Sequence, residues 1–199
     1  MKLVYSFNLN NDKNLDSFNQ ITELCLISKC LYNQALYEVK SNLEKHNKFL
    51  FYNELNKIMI NKPNLEGKVN YKLLKAQTSQ QILKVLENDI KSYIKSIKDW
   101  SNNPKKYKGK PKLPNYKNSL NQLIYTNQTC RIKDDGFIHL SKTLKIAIPQ
   151  FDKYKDRINK FNQVRIIPKG NNLKVEIIYE IDDVEVNPNL NYNEFSSVD

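Results

Sequence analysis

Pro104-Lys105-Lys106-Tyr107-Lys108-Gly109-Lys110-Pro111-Lys112-Leu113-Pro114-Asn115-Tyr116-Lys117 divides the chain into two parts with different hydrophobic periods. The stretch holds six lysines, two tyrosines, three prolines and no acidic residue. Proline removes a backbone donor and clashes with the preceding turn, so this is not a helix interior. Its lysines have no apolar alternation to hide behind, so it is not a buried strand either. Two readings remain. One is an ordered or half-ordered basic strap whose rings stack on bases or sugars; the other is a solvated linker between subdomains.

Upstream of the strap the apolar period is three to four. Phe18, Ile21, Cys25, Ser28, Tyr32, Ala35 and Val39, widened by Leu24, Leu31 and Leu36, mark a long amphipathic helix from about Asn14 to Lys45. A short helix is expected over Tyr52–Ile60, stopped by Lys62-Pro63, with loop over residues 64–70. Ser79, Ile82, Leu86, Ile90, Tyr93, Ile97 and Trp100, with Leu83 and Ile94 beside them, predict a second long helix from about Leu73 to Trp100.

Downstream the period is two. Short strands are expected over residues 120–125, 130–133, 137–140 and 144–148, with Asp134-Asp135-Gly136 as a hairpin turn. A clearer hairpin joins residues 164–167 to 173–181 through Lys169-Gly170-Asn171, with Leu173, Val175, Ile177, Tyr179 and Ile181 on one buried face. Residues 2–9 alternate in the same way, so one strand stands at the start of the chain, separated by helices from the others. That arrangement predicts an α+β fold: a β-barrel of short antiparallel strands with a helical block inserted. The expected division is 1–10 for the first barrel strand and 11–103 for the helical insertion. The strap takes 104–118, the barrel strands 119–182, and an acidic tail 183–199.

The 199 residues carry a formal net charge of +11. Residues 182–199 contain five acids and no Lys or Arg, so residues 1–181 carry those five charges more, +16. Such an excess attracts a polyanion with an affinity that falls as salt rises. Nucleic acid is the expected partner; no apolar run long enough to span a membrane appears, and a signal peptide is not expected at the first residues. Cys25, Cys30 and Cys130 read as reduced core thiols, with no CxxC or His pair beside them to suggest zinc. A cytoplasmic protein is therefore expected.

Catalytic patterns are sparse. No GxGxxG, phosphate-binding GxxxxGK, GxSxG or HExxH motif is present. His46 and His139 read as surface or satisfied residues, and Asp134-Asp135 as a turn. No catalytic, cofactor-binding or metal-ligating group is expected in this chain. The binding candidates are stronger. Gln77, Gln80, Gln81 and Lys84 lie on the expected exposed side of a helix, where amides and ammoniums reach base edges or phosphates. Taken alone, Gln80 reads as a solvated helix residue. Tyr125-Thr126-Asn127 ends a strand just past the strap.

With those residues placed, the chain resembles the N-terminal half of TnpB (OrfB), the transposon-encoded RNA-guided nucleases related to compact type V CRISPR effectors. The resemblance rests on the opening strand, Leu31-Tyr32-Asn33-Gln34-Ala35-Leu36, Phe51-Tyr52-Asn53-Glu54-Leu55 and Ser79-Gln80-Gln81-Ile82-Leu83. It continues through Lys108-Gly109-Lys110-Pro111-Lys112-Leu113-Pro114, Tyr125-Thr126-Asn127, Asp135-Gly136-Phe137-Ile138-His139-Leu140 and the strand closing at Ile181. Where the family often has Gly-x-Pro-x-Phe, this chain has the looser Leu113-Pro114-Asn115-Tyr116. A family lysine just before Gln80 is not matched, since Ala76 and Gln77 stand there.

The resemblance implies a wedge-like barrel holding a helical recognition block, which together grip guide RNA and the guide–target heteroduplex and read a motif on double-stranded target DNA. It places Tyr52, Gln80, Thr126 and Asn127 against target-adjacent DNA. Gln77, Lys84, Lys105, Lys106, Lys108, Lys110 and Lys112 join them as expected nucleic-acid contacts. In the family a RuvC-like nuclease with Mg-binding carboxylates and a zinc ribbon follows; the sequence ends at Val198-Asp199, about where that domain would begin. The expectation is a truncated protein, nucleoid-associated, that binds without cleaving. The alternatives are half of a split endonuclease completed by a separate RuvC chain, or an inert transposon remnant.

Overall fold

The computed structural model describes residues 1–9, 15–158 and 160–181. The expected start of the first helix near Asn14 and the acidic tail lie outside the described residues. The fold is α+β. In chain order it runs β1 (Lys2–Leu9), α1 (Leu15–His46), α2 (Tyr52–Met59), α3 (Asn70–Leu73), α4 (Ala76–Asn102) and a 3-10 turn (Pro104–Lys106). Then come β2 (Leu123–Thr126), β3 (Arg131–Ile132), β4 (Phe137–His139), β5 (Lys145–Ala147), α5 (Phe151–Ile158), β6 (Phe161–Lys169) and β7 (Asn172–Glu180).

The apolar stripe of α1 is buried as its period predicts, with Ile21, Cys25, Leu31, Ala35, Leu36 and Val39 all fully inside. Asp16 in the first turn and Lys45 and His46 in the last complement the helix dipole. The helix stops at Asn47, whose left-handed φ of 51° suits its short polar side chain. Its amide still donates to Leu43 O at 2.9 Å. Helix α4 lies against α1, and Tyr32 joins them by donating to Asp89 Oδ2 at 2.7 Å. Burial, then that hydrogen bond, raises the Tyr32 phenol well above its ordinary value. Only the first half of α4 is core: Ile82, Leu83, Leu86 and Ile90 are buried, whereas Tyr93, Ile94, Ile97 and Trp100 are half-exposed.

Four strands form an antiparallel sheet in the order β1-β7-β6-β2. Tyr5, Ile177, Val164 and Tyr125 pair in register across it, making one continuous row. Strand β1 thus returns, across the whole helical block, to pair with the last strand. The hairpin turns at Gly170, whose φ of 56° a side chain would strain. A second antiparallel sheet, β3-β4-β5, is smaller. One buried core runs through helices and sheets alike.

Several expectations change. Neither sheet closes into a barrel among the described residues; the larger one ends at β1 and β2. The expected helix from Leu73 is broken: Leu74 and Lys75 are extended, with ψ of 165° and 136°. Leu74 turns inward to the core, and Ser79 Oγ donates to Tyr71 O at 2.8 Å, holding α3 across the break. Residues 120–122 are not strand, because their polar groups bond α1 instead: Ser28 Oγ donates to Gln122 O at 2.8 Å and Asn121 Nδ2 to Ser28 Oγ at 3.0 Å. Helix α5 was not expected. In β7 both faces are covered, with Glu176 and Ile178 buried alongside the odd-numbered residues. Glu176 is held by Arg165 at 2.8 Å and Lys174 at 2.8 Å. Cys25 and Cys130 are buried, their thiols pushed up to about 12 by burial, but Cys30 is exposed. It lies off the apolar stripe, five residues from Cys25.

Candidate nucleic-acid interface

Five of the predicted contact residues converge on one face of α4. Gln77, Gln80 and Lys84 fall at i, i+3 and i+7, within about 60° of one another around the axis and about 10 Å along it. At one end Thr126 Oγ1 donates to Gln77 Oε1 at 2.8 Å, and Gln77 Nε2 donates to Gln128 Oε1 at 2.8 Å. Thr126 is the last residue of β2, so the strand end and the helix start share this amide. Asn127 follows, exposed, its amide donating to Asn162 O at 3.1 Å. At the other end Lys84 Nζ stands 5.2 Å from the Tyr52 ring centre. Tyr52 is held there as the first residue of α2, whose entry is capped by Phe51 N–H donating to Glu54 Oε2 at 2.9 Å. Between the ends, burial raises the Tyr71 phenol and Gln80 acts against that rise, and the Tyr71 hydroxyl donates to Asn56 Oδ1 at 2.7 Å.

Gln77 and Gln80 are thus half-buried, and Gln77 is partnered on both sides, not freely solvated as their helix positions suggested. An amide offers two N–H donors and two acceptor lone pairs, so Gln77 retains one of each for a further partner. A fixed amide with half its capacity open is suited to a base edge, because its orientation is already set.

The strap is ordered at both ends. Asp99 accepts from Tyr107 Oη at 2.6 Å and from Lys106 Nζ at 2.9 Å. The Lys106 bond, then the Tyr107 bond, holds the Asp99 carboxyl down to about 2. Lys110 Nζ stands 5.6 Å from the Trp100 ring centre. At the far end the strap runs antiparallel to α1: Asn33 Nδ2 donates to Lys117 O at 3.0 Å, and Lys117 N–H donates to Asn33 Oδ1 at 2.8 Å. Lys29 Nζ adds Asn118 O at 2.8 Å. All five lysines are exposed, Lys106 and Lys110 with the local partners just named. Of the two strap rings, Tyr107 is tied to Asp99. Tyr116 remains open, 42% exposed, with Lys40 Nζ 4.4 Å from its centre.

A second set of basic residues was not foreseen. In the small sheet Ile132, Ile138 and Ile146 pair in one inward row, so alternation sends Arg131, His139 and Lys145 out in the adjacent row. With Lys75, Lys133 and Lys142 they line a groove of about 510 Å³ beside Gln128. The groove therefore adjoins the Gln77–Thr126 end of the α4 face. His139 Nε2 lies 2.8 Å from Asp135 Oδ2, the turn carboxylate. Only the strand alternation of Arg131, Lys133 and Lys145 hinted at it. Among the described residues no group of three or more His, Cys, Asp or Glu side chains is placed to hold a metal ion. No helix of the described residues is long and apolar enough to cross a membrane. Compared with known proteins, the chain matches no protein-family model and no curated protein.

Proposed function

We propose that this chain is a nucleic-acid-binding module of the kind formed by the N-terminal half of TnpB-like proteins, engaging guide-like RNA and double-stranded or heteroduplex DNA. The observation that carries this reading is the convergence of Tyr52, Gln77, Gln80, Lys84 and Thr126 on one face of α4, from three separate segments of chain. Amides and a hydroxyl there present hydrogen-bonding atoms to base edges, and Lys84 a charge to phosphate. The exposed strap lysines Lys105, Lys108 and Lys112 add attraction without sequence preference.

The wedge-like barrel is part of the same proposal. The two sheets would be its walls, with the free edges of β1 and β2 the places where closure is sought. In the chemistry proposed, the chain binds and positions nucleic acid, and strand cleavage belongs to a RuvC-like nuclease outside these residues. Anisotropy titrations with structured RNA and with duplex DNA test it. The wild-type chain is expected to bind with an affinity that falls steeply with salt. Gln77→Ala/Thr126→Ala is expected to narrow the difference between preferred and scrambled duplexes, by about 1–3 kcal/mol of discrimination for each bidentate pairing with a base edge that is removed. Undetectable or salt-independent binding by the wild type overturns the reading.

A further inference from the structure

The geometry points to the outer edge of β1 as a pairing surface for a second copy of this chain, the two β1 strands meeting antiparallel about a two-fold axis at Tyr5. This stands apart from the nucleic-acid reading and uses none of its residues. Met1 N donates to Ile181 O at 2.9 Å, and Ile181 N–H donates to Met1 O at 3.1 Å. That exchange fixes the phase of the β1–β7 ladder, because residues of an antiparallel pair alternate between bonding the neighbouring strand and facing away from it. Leu3, Tyr5, Phe7 and Leu9 therefore bond β7. The N–H and C=O groups of Lys2, Val4, Ser6 and Asn8 point out of the sheet, and among the described residues no backbone group meets them.

Such an edge is normally blunted by proline, a bulge, charge or shortness. Strand β1 has 8 residues, no proline, no register shift and Lys2 as its sole charge. The opposite edge of the sheet differs. Strand β2 has 4 residues, and its Thr126 is bonded to Gln77 of α4.

A two-fold contact must be self-complementary, and β1 is. With Tyr5 on the axis, Lys2 stands opposite the second copy's Asn8, Val4 opposite its Ser6, and Leu3 opposite its Phe7. This register satisfies every outward N–H and C=O of both strands and sets no like charges opposite. A slip of two residues either way leaves one outward residue of each strand outside the ladder. On the inner face, half-buried Leu3, Tyr5 and Phe7 continue into the same row of the second copy, a favourable cross-strand arrangement. The helices beneath leave room. Helix α5 packs chiefly under β7. In the joined sheet β7 and its mate stand three strand spacings apart, about 14 Å, while packed helices need about 8–10 Å between axes. A single strand pair is small beside the about 1,200–2,000 Å² of a stable interface, so the dimer is expected to be weak, dissociating on the order of 10 µM.

Sedimentation equilibrium of the full chain, free of nucleic acid, from about 1 to 200 µM brackets that value. The wild-type chain is expected to pass from monomer to dimer across this range. Val4→Lys/Ser6→Lys sets like charges opposite at two places across the axis and is expected to weaken association about tenfold or more. Val4→Glu/Ser6→Lys sets opposite charges at the same two places and is expected to dimerise at least as tightly as the wild type. Both variants change the same two exposed side chains and are checked for native circular dichroism, so their difference reports the register. A wild-type chain that stays monomeric throughout overturns the pairing, as does association of Val4→Lys/Ser6→Lys as tight as the wild type's. Equal weakening by the two variants overturns the register centred on Tyr5. None of these results bears on nucleic-acid binding.

Discussion

The strap and the groove are both lysine-rich, yet they hold their charge in opposite ways. In the strap, Lys106 is spent on Asp99 and Lys110 on the Trp100 ring, and the backbone is tied to α1 through Asn33 and Lys29. Its charge partly serves to fasten a segment that has no regular structure of its own. In the groove, apolar packing of Ile138 and Ile146 fastens the sheet; Lys75 donates to Thr129 O, Lys145 stands 6.0 Å from the Phe137 ring centre, and among the described residues no ion pair holds Arg131, Lys133 or Lys142.

The difference can be broken at the groove first. Ile138 is fully buried at the centre of the small sheet, and Ile138→Ala should cost about 2–5 kcal/mol of stability by urea unfolding. It should also cost duplex affinity even where the chain remains folded, because the outward row loses its footing. A variant as stable as the wild type would mean that the sheet is fastened otherwise.

Within the strap, Lys105→Gln/Lys108→Gln/Lys112→Gln should weaken RNA binding in low salt and flatten the salt slope by up to about 2.7. Lys106→Gln/Lys110→Gln should do distinctly less to affinity while loosening the strap. Equal effects from the two sets would erase the distinction between committed and free lysines. Asn33→Ala removes both bonds to the Lys117 backbone and should cost about 1–2 kcal/mol, read as faster hydrogen exchange at the Lys117 amide. Unchanged exchange would show that the strap does not depend on α1.

The smallest effect concerns Asp99. Its folded carboxyl is depressed to about 2 from an ordinary 3.8, so the clamp is fully made above that ordinary value and is lost as pH falls toward 2. An NMR titration of the Asp99 carboxyl should show a midpoint near 2. A midpoint near 3.8 would mean that Lys106 and Tyr107 do not engage it.

Much of this architecture was legible residue by residue. The α1 stripe, the β1 alternation and the Lys169-Gly170-Asn171 turn each carry a local period or turn chemistry that tertiary packing leaves intact. The break at Leu74-Lys75 was not legible, because what interrupts the helix is distant: a buried pocket for Leu74 and Thr129 O for Lys75. Helix α5 was hidden by its shortness and charge, although Phe151, Tyr154 and Ile158 hold helical spacing. Of the proposed interface, the α4 residues could be named from sequence, but their partners could not. The groove was invisible because Lys75 and the strand residues 131–145 meet only through the pairing of β3, β4 and β5.

Lysine acetylation footprinting, with and without saturating duplex, tests the central claim most directly. The account predicts that bound nucleic acid slows acetylation of Lys75, Lys84, Lys133, Lys142 and Lys145, while Lys2, Lys153 and Lys155 react at unchanged rates. Protection spread evenly over all of these lysines, or absent from the first five, would contradict it.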